Sequence, residues 1–207
     1  MTVRPIRVIK VGGSLFSIDG LADVLCGWLA TQPVAENVLI AGGGRWADAV
    51  READRRHSLG EEAAHWLSIG AMGLTAQLLA ALLPEARLVR RLEELAQPKQ
   101  LADGRRPVVF DAEHFLRHQE PSQPGTRLPP GWHVTSDSIA ARVAVVLGAR
   151  ELVLLKSIAC PNKVSRAEAA ARGYVDGFFP TASEGIGVVR WVNLRQTDYP
   201  EMRWDSC

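Results

Sequence analysis

Long uninterrupted apolar runs are missing from these 207 residues. None approaches the roughly 20 consecutive apolar residues a membrane-spanning helix needs, and the alanine- and leucine-rich stretch from Gln77 to Leu83 is far shorter. Charge of one sign is lacking too: Lys+Arg of 24 against Asp+Glu of 23 leaves a formal net charge of +1. That balance is without the basic excess that phosphate-backbone binding leaves in a composition, so no nucleic acid partner is expected. Cysteine is scarce, and its three positions, Cys26, Cys160 and Cys207, are widely spaced and odd in number. Such usage fits a reduced compartment better than a disulfide framework or a zinc site. A strand-like run begins at Ile6, leaving no room for a charged segment followed by an apolar one, so no leader is expected. Together these absences predict a cytoplasmic protein without a membrane partner.

What is present is an alternation. Short β-rich runs, Ile6 to Val11, Asn37 to Ala41, Ala86 to Arg90, Pro107 to Asp111, Glu151 to Leu155 and Val188 to Leu194, are separated by longer helical patterns. Leu21 to Ala30, Arg45 to His57, Glu61 to Leu83 and Ser136 to Leu147 carry apolar residues at three- and four-residue spacing and read as crossover helices. The pattern predicts one domain over residues 1–207, an α/β fold built as a three-layer α/β/α sandwich with a largely parallel central sheet. Val134 to Ser138 supplies helix-starting chemistry just ahead of Ile139, and Gly148 supplies the stop. The segment from Gln119 to Gly131, with prolines at 121, 124, 129 and 130, reads as a surface loop, either a lid or a connector.

Two glycine-rich turns stand out. Lys10-Val11-Gly12-Gly13-Ser14 lies where the first strand ends, and Ala41-Gly42-Gly43-Gly44-Arg45 where the second does. Glycines let the backbone turn sharply and present N–H groups to an anion near a helix N-terminus. In a parallel sheet both turns emerge at the same carboxyl edge, where open α/β sheets bind ligands. Two facing anion loops suit a donor and an acceptor in one crevice. Neither turn fits G-x-x-x-x-G-K-[ST] or G-x-G-x-x-G, which disfavours a P-loop enzyme and a classical dinucleotide-binding dehydrogenase.

With Thr135-Ser136-Asp137-Ser138-Ile139-Ala140-Ala141 as a third landmark, the chain resembles the amino acid kinase family from about residue 6 to Leu155. The finer pattern, including Arg45-Trp46-Ala47-Asp48, His65-Trp66 and Trp132 to Asp137, is similar to the short aminomethylfuran phosphate kinases within it. The resemblance implies phosphoryl transfer from ATP, with Mg²⁺, to a small anionic acceptor, and a homo-oligomer. It assigns Lys10 to the phosphoryl group in flight, Gly12, Gly13 and Ser14 to the donor phosphates, and Asp137 to organising the lysines. Gly42, Gly43, Gly44, Arg45 and Ser136 fall on the acceptor side.

Several alternatives stay open. Asp137 could be only a first-turn acid that stabilises its helix. After Leu155, family members carry Thr-Asp-Val-x-Gly, whereas this chain reads Lys156-Ser157-Ile158-Ala159-Cys160-Pro161-Asn162-Lys163. Either Lys156 or Lys163 could supply the second cation, and the departure keeps open a non-catalytic nucleotide or oxyanion binder, or an assembly subunit, on the same fold. Arg51 could meet an anion or lie on a solvated helix face. His57 and His65 are assigned no chemistry, His65 reading as a packed residue beside Trp66, and the six tryptophans read as core and interface fillers.

Overall fold

The computed structural model describes residues 4–96, 106–159 and 164–205. Seven strands form one sheet: β1 (Ile6–Val11), β2 (Glu36–Ala41), β3 (Arg87–Val89), β4 (Val108–Phe110), β5 (Glu151–Lys156), β6 (Val188–Asn193) and β7 (Glu201–Asp205). Their order is β3-β4-β2-β1-β5-β6-β7. All pairings are parallel except the last, where β7 returns antiparallel to β6. The antiparallel β7 was not expected from the sequence. Its residues, Glu-Met-Arg-Trp-Asp, place charge on an edge strand, which blunts its apolar signal.

Five consecutive buried residues in β1 and in β2 mark strands covered on both faces. The two-residue alternation of side chains then sorts them into two cores. Val8, Ile40, Leu152 and Leu154 face α5 (Ser136–Val146), with α6 (Arg166–Ala171) and α7 (Phe179–Ala182) on the same side. Ile9, Val11, Leu39, Val153 and Leu155 face α1 (Leu21–Ala30) and the end of α3 (Glu61–Leu82). α2 (Gly44–His57) and α3 follow one another with no strand between them, so together they make a single crossover from β2 to β3, and the short α4 (Leu92–Ala96) leads on toward β4. The chain runs to one side of β1 through β2 and crosses to its other side at β5. The carboxyl ends of β1 and β5 therefore bound the switch point where doubly wound sheets bind ligands.

Two segments need a closer description. Among the described residues α3 is, by length and composition alone, long and apolar enough to cross a membrane; here Ala64, Ile69, Ala76 and Leu79 bury one side of it in the core. The proline-rich segment is a surface loop, as expected, largely exposed and irregular beyond Ser122, but it is anchored to the core. A π-turn (Phe115–Gln119) and a 3-10 turn (Glu120–Ser122) open it. Buried Arg142 of α5 then pins it, donating to Glu120 Oε1 at 2.9 Å, to the Pro124 carbonyl at 2.8 Å and to the Gln123 carbonyl at 3.2 Å.

Candidate active site

Strand alternation explains how two lysines reach one place. Lys10 continues the row of Ile6 and Val8 in β1, and Lys156 continues Leu152 and Leu154 in β5, so both rows end in a cation on the α5 face. Asp137, in the first turn of α5, lies between them. Lys156 Nζ donates to its Oδ2 at 2.6 Å, and Lys10 Nζ is 2.9 Å from its Oδ1. Buried Oδ1 faces the Lys10 ammonium and has no other polar partner among the described residues. Asp137 and Lys10 are only 4 % and 5 % exposed.

Burial alone would raise the Asp137 carboxyl, but the ammonium groups of Lys10 and Lys156 overcome it and hold it down at about 2. Burial pushes the Lys156 ammonium down to about 8, against the opposing pull of Asp137. Lys156 Nζ also donates to the Tyr174 carbonyl at 3.1 Å and sits 4.9 Å from the centre of the Trp191 ring. The cluster carries one net positive charge in a nearly dry site, where charge–charge interactions are strong.

The two glycine turns touch. A Cβ on Gly13 would lie 2.3 Å from the Gly44 nitrogen, and one on Gly42 would lie 2.9 Å from the Gly13 nitrogen. Gly44 adopts φ +53°, open to glycine with little strain. The Gly12 N–H donates to the Leu155 carbonyl at 2.9 Å and extends the sheet. Gly13 and Ser14 open the following 3-10 turn, whose first amides have no partner within the turn. Ser14 Oγ lies 2.7 Å from Ser157 Oγ, tying this turn to the segment after β5. Lys163 lies outside the described residues, as do Cys160 and Cys207; Cys26 is an exposed free thiol.

Beside the glycine turns opens a cavity of about 280 Å³, lined by Gly13, Ser14, Gly43, Gly44, Thr135 and Ser136 at one end. Ala47, Asp48 and Arg51 of α2, four residues of α3, and Gly131, Trp132, Val134 and Ile139 complete it. Gly42 is buried behind this lining, and Arg45 is exposed and outside it, so the arginine at the cavity is Arg51. Arg51 reaches Asp48 Oδ1 at 2.8 Å and lies 5.1 Å from the centre of the Trp132 ring. Trp132 Nε1 donates to Asp54 Oδ2 at 2.9 Å, and the Gly131 N–H donates to His65 Nδ1 at 3.3 Å. His65, expected as a packed residue, thus helps form the cavity wall.

Sequence reasoning missed Asp176. Its Oδ2 accepts from the Thr135 N–H at 3.0 Å, Thr135 Oγ1 at 2.8 Å and the Ser138 N–H at 3.0 Å, while Ser138 Oγ donates to Oδ1. No local spacing signals a partner 41 residues away.

The model of the amino acid kinase family matches residues 5–159. A (5-(aminomethyl)furan-3-yl)methyl phosphate kinase of Methanocaldococcus jannaschii is 23 % identical over 153 residues, 73 % of this chain and 66 % of the relative, just under two thirds of its length. A uridylate kinase from Archaeoglobus fulgidus superposes with a TM-score of 0.58 at 20 % identity, covering 89 % of this chain and 88 % of that one. A UMP kinase from Ureaplasma parvum superposes with a TM-score of 0.67 at 12 % identity, covering 98 % and 97 %. These likenesses show the shared fold.

Proposed function

Because the chain belongs to the amino acid kinase family, we propose that it is an ATP- and Mg²⁺-dependent kinase that phosphorylates a small phosphomonoester to a diphosphate. The observation that carries this reading is Asp137 gripped by Lys10 and Lys156 at the ends of β1 and β5, beside two glycine turns in contact. Phosphoryl transfer passes through a loose, charge-dispersed transition state, so alignment and fixed cations supply most of the rate. Lys10 and Lys156 are those cations, and Asp137 holds them in place.

Asp137 is unfit as a general base, since two ammonium groups hold it ionised at about 2. A phosphomonoester oxygen is already ionised near neutral pH and needs no base, whereas an alcohol would. The acceptor named for the Methanocaldococcus relative, an aminomethylfuran phosphate, belongs to this class. The cavity beside Gly43, Gly44, Ser136 and Arg51 is its site in this reading.

The residues fit a polyphosphate donor: a net positive lysine–aspartate cluster adjoins the amides of Gly13 and Ser14, and the Ser14–Ser157 contact lies at the same sheet edge. Among the described residues no three His, Cys, Asp or Glu side chains gather as metal ligands, so Mg²⁺ is assigned to the donor's phosphates, where it neutralises charge on the transferring group.

A cytoplasmic homo-oligomer is part of the same proposal. Leu67, Leu74, Leu78 and Leu82 of α3 are 39–54 % exposed, and no Asp, Glu, Lys or Arg occurs between Glu62 and Glu85. Such a stripe suits a second copy of the chain.

The test is a phosphorus NMR assay with ATP, Mg²⁺ and three acceptors: the aminomethylfuran phosphate, UMP and acetylglutamate. Diphosphate formation on a phosphomonoester supports the reading. Binding of ATP and acceptors without transfer to any of them would leave a non-catalytic binder.

A further inference from the structure

The cavity wall contributed by α3 holds a polar group without a partner among the described residues. His65, Ser68, Ile69 and Met72 line it, spaced as one face of a helix. Ile69 and Met72 belong to the core cluster. His65 Nδ1 accepts the Gly131 N–H at 3.3 Å, which leaves the ring proton of a neutral imidazole on Nε2. Burial, the main influence on this ring, lowers its pKa and favours that neutral form.

Ser68 is the exception. Its hydroxyl oxygen is buried and makes no hydrogen bond. A helical serine or threonine ordinarily satisfies its hydroxyl on a carbonyl one turn back, as Thr75 does on the same helix, donating to the Met72 carbonyl at 2.9 Å. A buried hydroxyl left unpaired destabilises the fold. Alanine, already frequent along α3, would fill the space without that penalty. The neighbouring polar groups are taken: the Trp132 indole N–H by Asp54, Arg51 by Asp48, and the Thr135 hydroxyl by Asp176. On the α3 wall, Ser68 Oγ and the second nitrogen of His65 remain.

We propose that Ser68 is a specificity-determining residue of the acceptor cavity, its hydroxyl donating, together with the His65 ring, to an oxygen atom at the end of the acceptor remote from the phosphoryl-receiving group. The inference rests on the kinase reading for the identity of the cavity as an acceptor site. Two donors from one helix face suit a ring ether, hydroxyl or carbonyl oxygen. A site that donates to a ligand oxygen rejects an analogue lacking it, because its own polar groups are then left unpaired.

The experiment compares two probes by calorimetry without ATP: (5-(aminomethyl)furan-3-yl)methyl phosphate, with a ring oxygen, and (3-(aminomethyl)phenyl)methyl phosphate, without one. Ser68→Ala is expected to melt at or above the wild-type temperature, to bind the furan probe about tenfold more weakly, and to bind the benzene probe as wild type does. Ser68→Thr, which restores a hydroxyl, is expected to recover the furan preference. A Ser68→Ala protein that melts lower and binds both probes as wild type does would show a structural serine and overturn the role. So would an equal loss for both probes. Wild-type protein that binds neither probe removes the acceptor reading itself, and the role with it.

Discussion

Asp176 caps the helix that Asp137 opens. The Thr135 side chain at the start of α5 makes no capping bond of its own; the carboxylate of Asp176 takes the Thr135 and Ser138 N–H groups and both hydroxyls instead. With the helix start satisfied from elsewhere, Asp137 can turn away from the backbone and into the lysine pair. Two carboxylates at one helix end thus hold separate tasks, one structural and one electrostatic.

Replacing Asp176 with alanine should therefore destabilise the protein by about 2 kcal/mol or more, at the upper end of cap deletions, because several donors lose their acceptor together. Thr135→Ala should cost less, since it removes one of those contacts and leaves the two N–H bonds. The urea midpoints of the two variants check the ranking; an Asp176→Ala midpoint equal to wild type would show that the cap is dispensable.

Asp137→Asn isolates the electrostatic task. The cap remains, but two buried ammonium groups lose their counter-charge. Leaving a buried charge unpaired costs about 3 kcal/mol or more, limited here because the Lys156 ammonium, already brought down to about 8, can go neutral. Turnover should fall about a hundredfold, since cations out of place lose their hold on the transferring group. Steady-state rates and melting curves on the same variant decide the matter, and an active, slightly destabilised protein would reduce Asp137 to a first-turn acid.

The glycine turns support each other before they support a ligand. Gly13→Ala would drive a Cβ to 2.3 Å from the Gly44 nitrogen, a backbone clash that no side-chain rotation relieves, so stability should fall by several kcal/mol, on the order of other severe overpacking. A Gly13→Ala protein of normal stability would mean that the turns separate easily.

Much of this was legible in the sequence, and the reasons differ by residue. The strands and crossover helices announced themselves because apolar periodicity is local. So did the glycine turns, whose position after strands fixed their place at one sheet edge. The choice of Lys156 as the partner of Asp137 was also present in β5, since counting alternate residues from Leu152 and Leu154 puts Lys156 on the α5 face, but only once β5 is known to lie beside β1. Asp176 was out of reach, because its partners are set by how the chain returns after β5. Arg45 directly follows the glycines in sequence, yet the helix turns it outward and brings Arg51 to the cavity. β7 carries a strict alternation, but over five residues with only Met202 and Trp204 apolar it is too short to register as a strand.

The exposed leucine stripe of α3 predicts association. Leu74→Glu places a charge in the middle of it, between Leu67 and Leu82, and should convert an oligomer to a monomer by light scattering while leaving the isolated fold intact, because Leu74 is half exposed. Unchanged mass in the variant would assign the contact to another face.

The pH dependence of Lys156 separates activity from stability. Its folded pKa is lowered from 10.5 to about 8, so between these values the unfolded chain binds more protons than the folded one, and this group's contribution to stability rises with pH across that window. Below about 8 both states are charged, and the penalty of burying the ammonium is constant. Asp137 acts at the other end: its folded pKa is depressed from 3.8 to about 2, so its stabilisation is fully present above 3.8 and is lost as pH falls toward 2. Phosphoryl transfer needs the Lys156 ammonium, and turnover should therefore decline above about pH 8 while this residue favours the fold more strongly. Arginine at position 156 stays charged throughout, so Lys156→Arg should lower turnover at its optimum through altered geometry yet remove the alkaline decline. Turnover measured from pH 6 to 10 in both proteins tests this, and an unchanged alkaline limb in Lys156→Arg would assign the titration to another group.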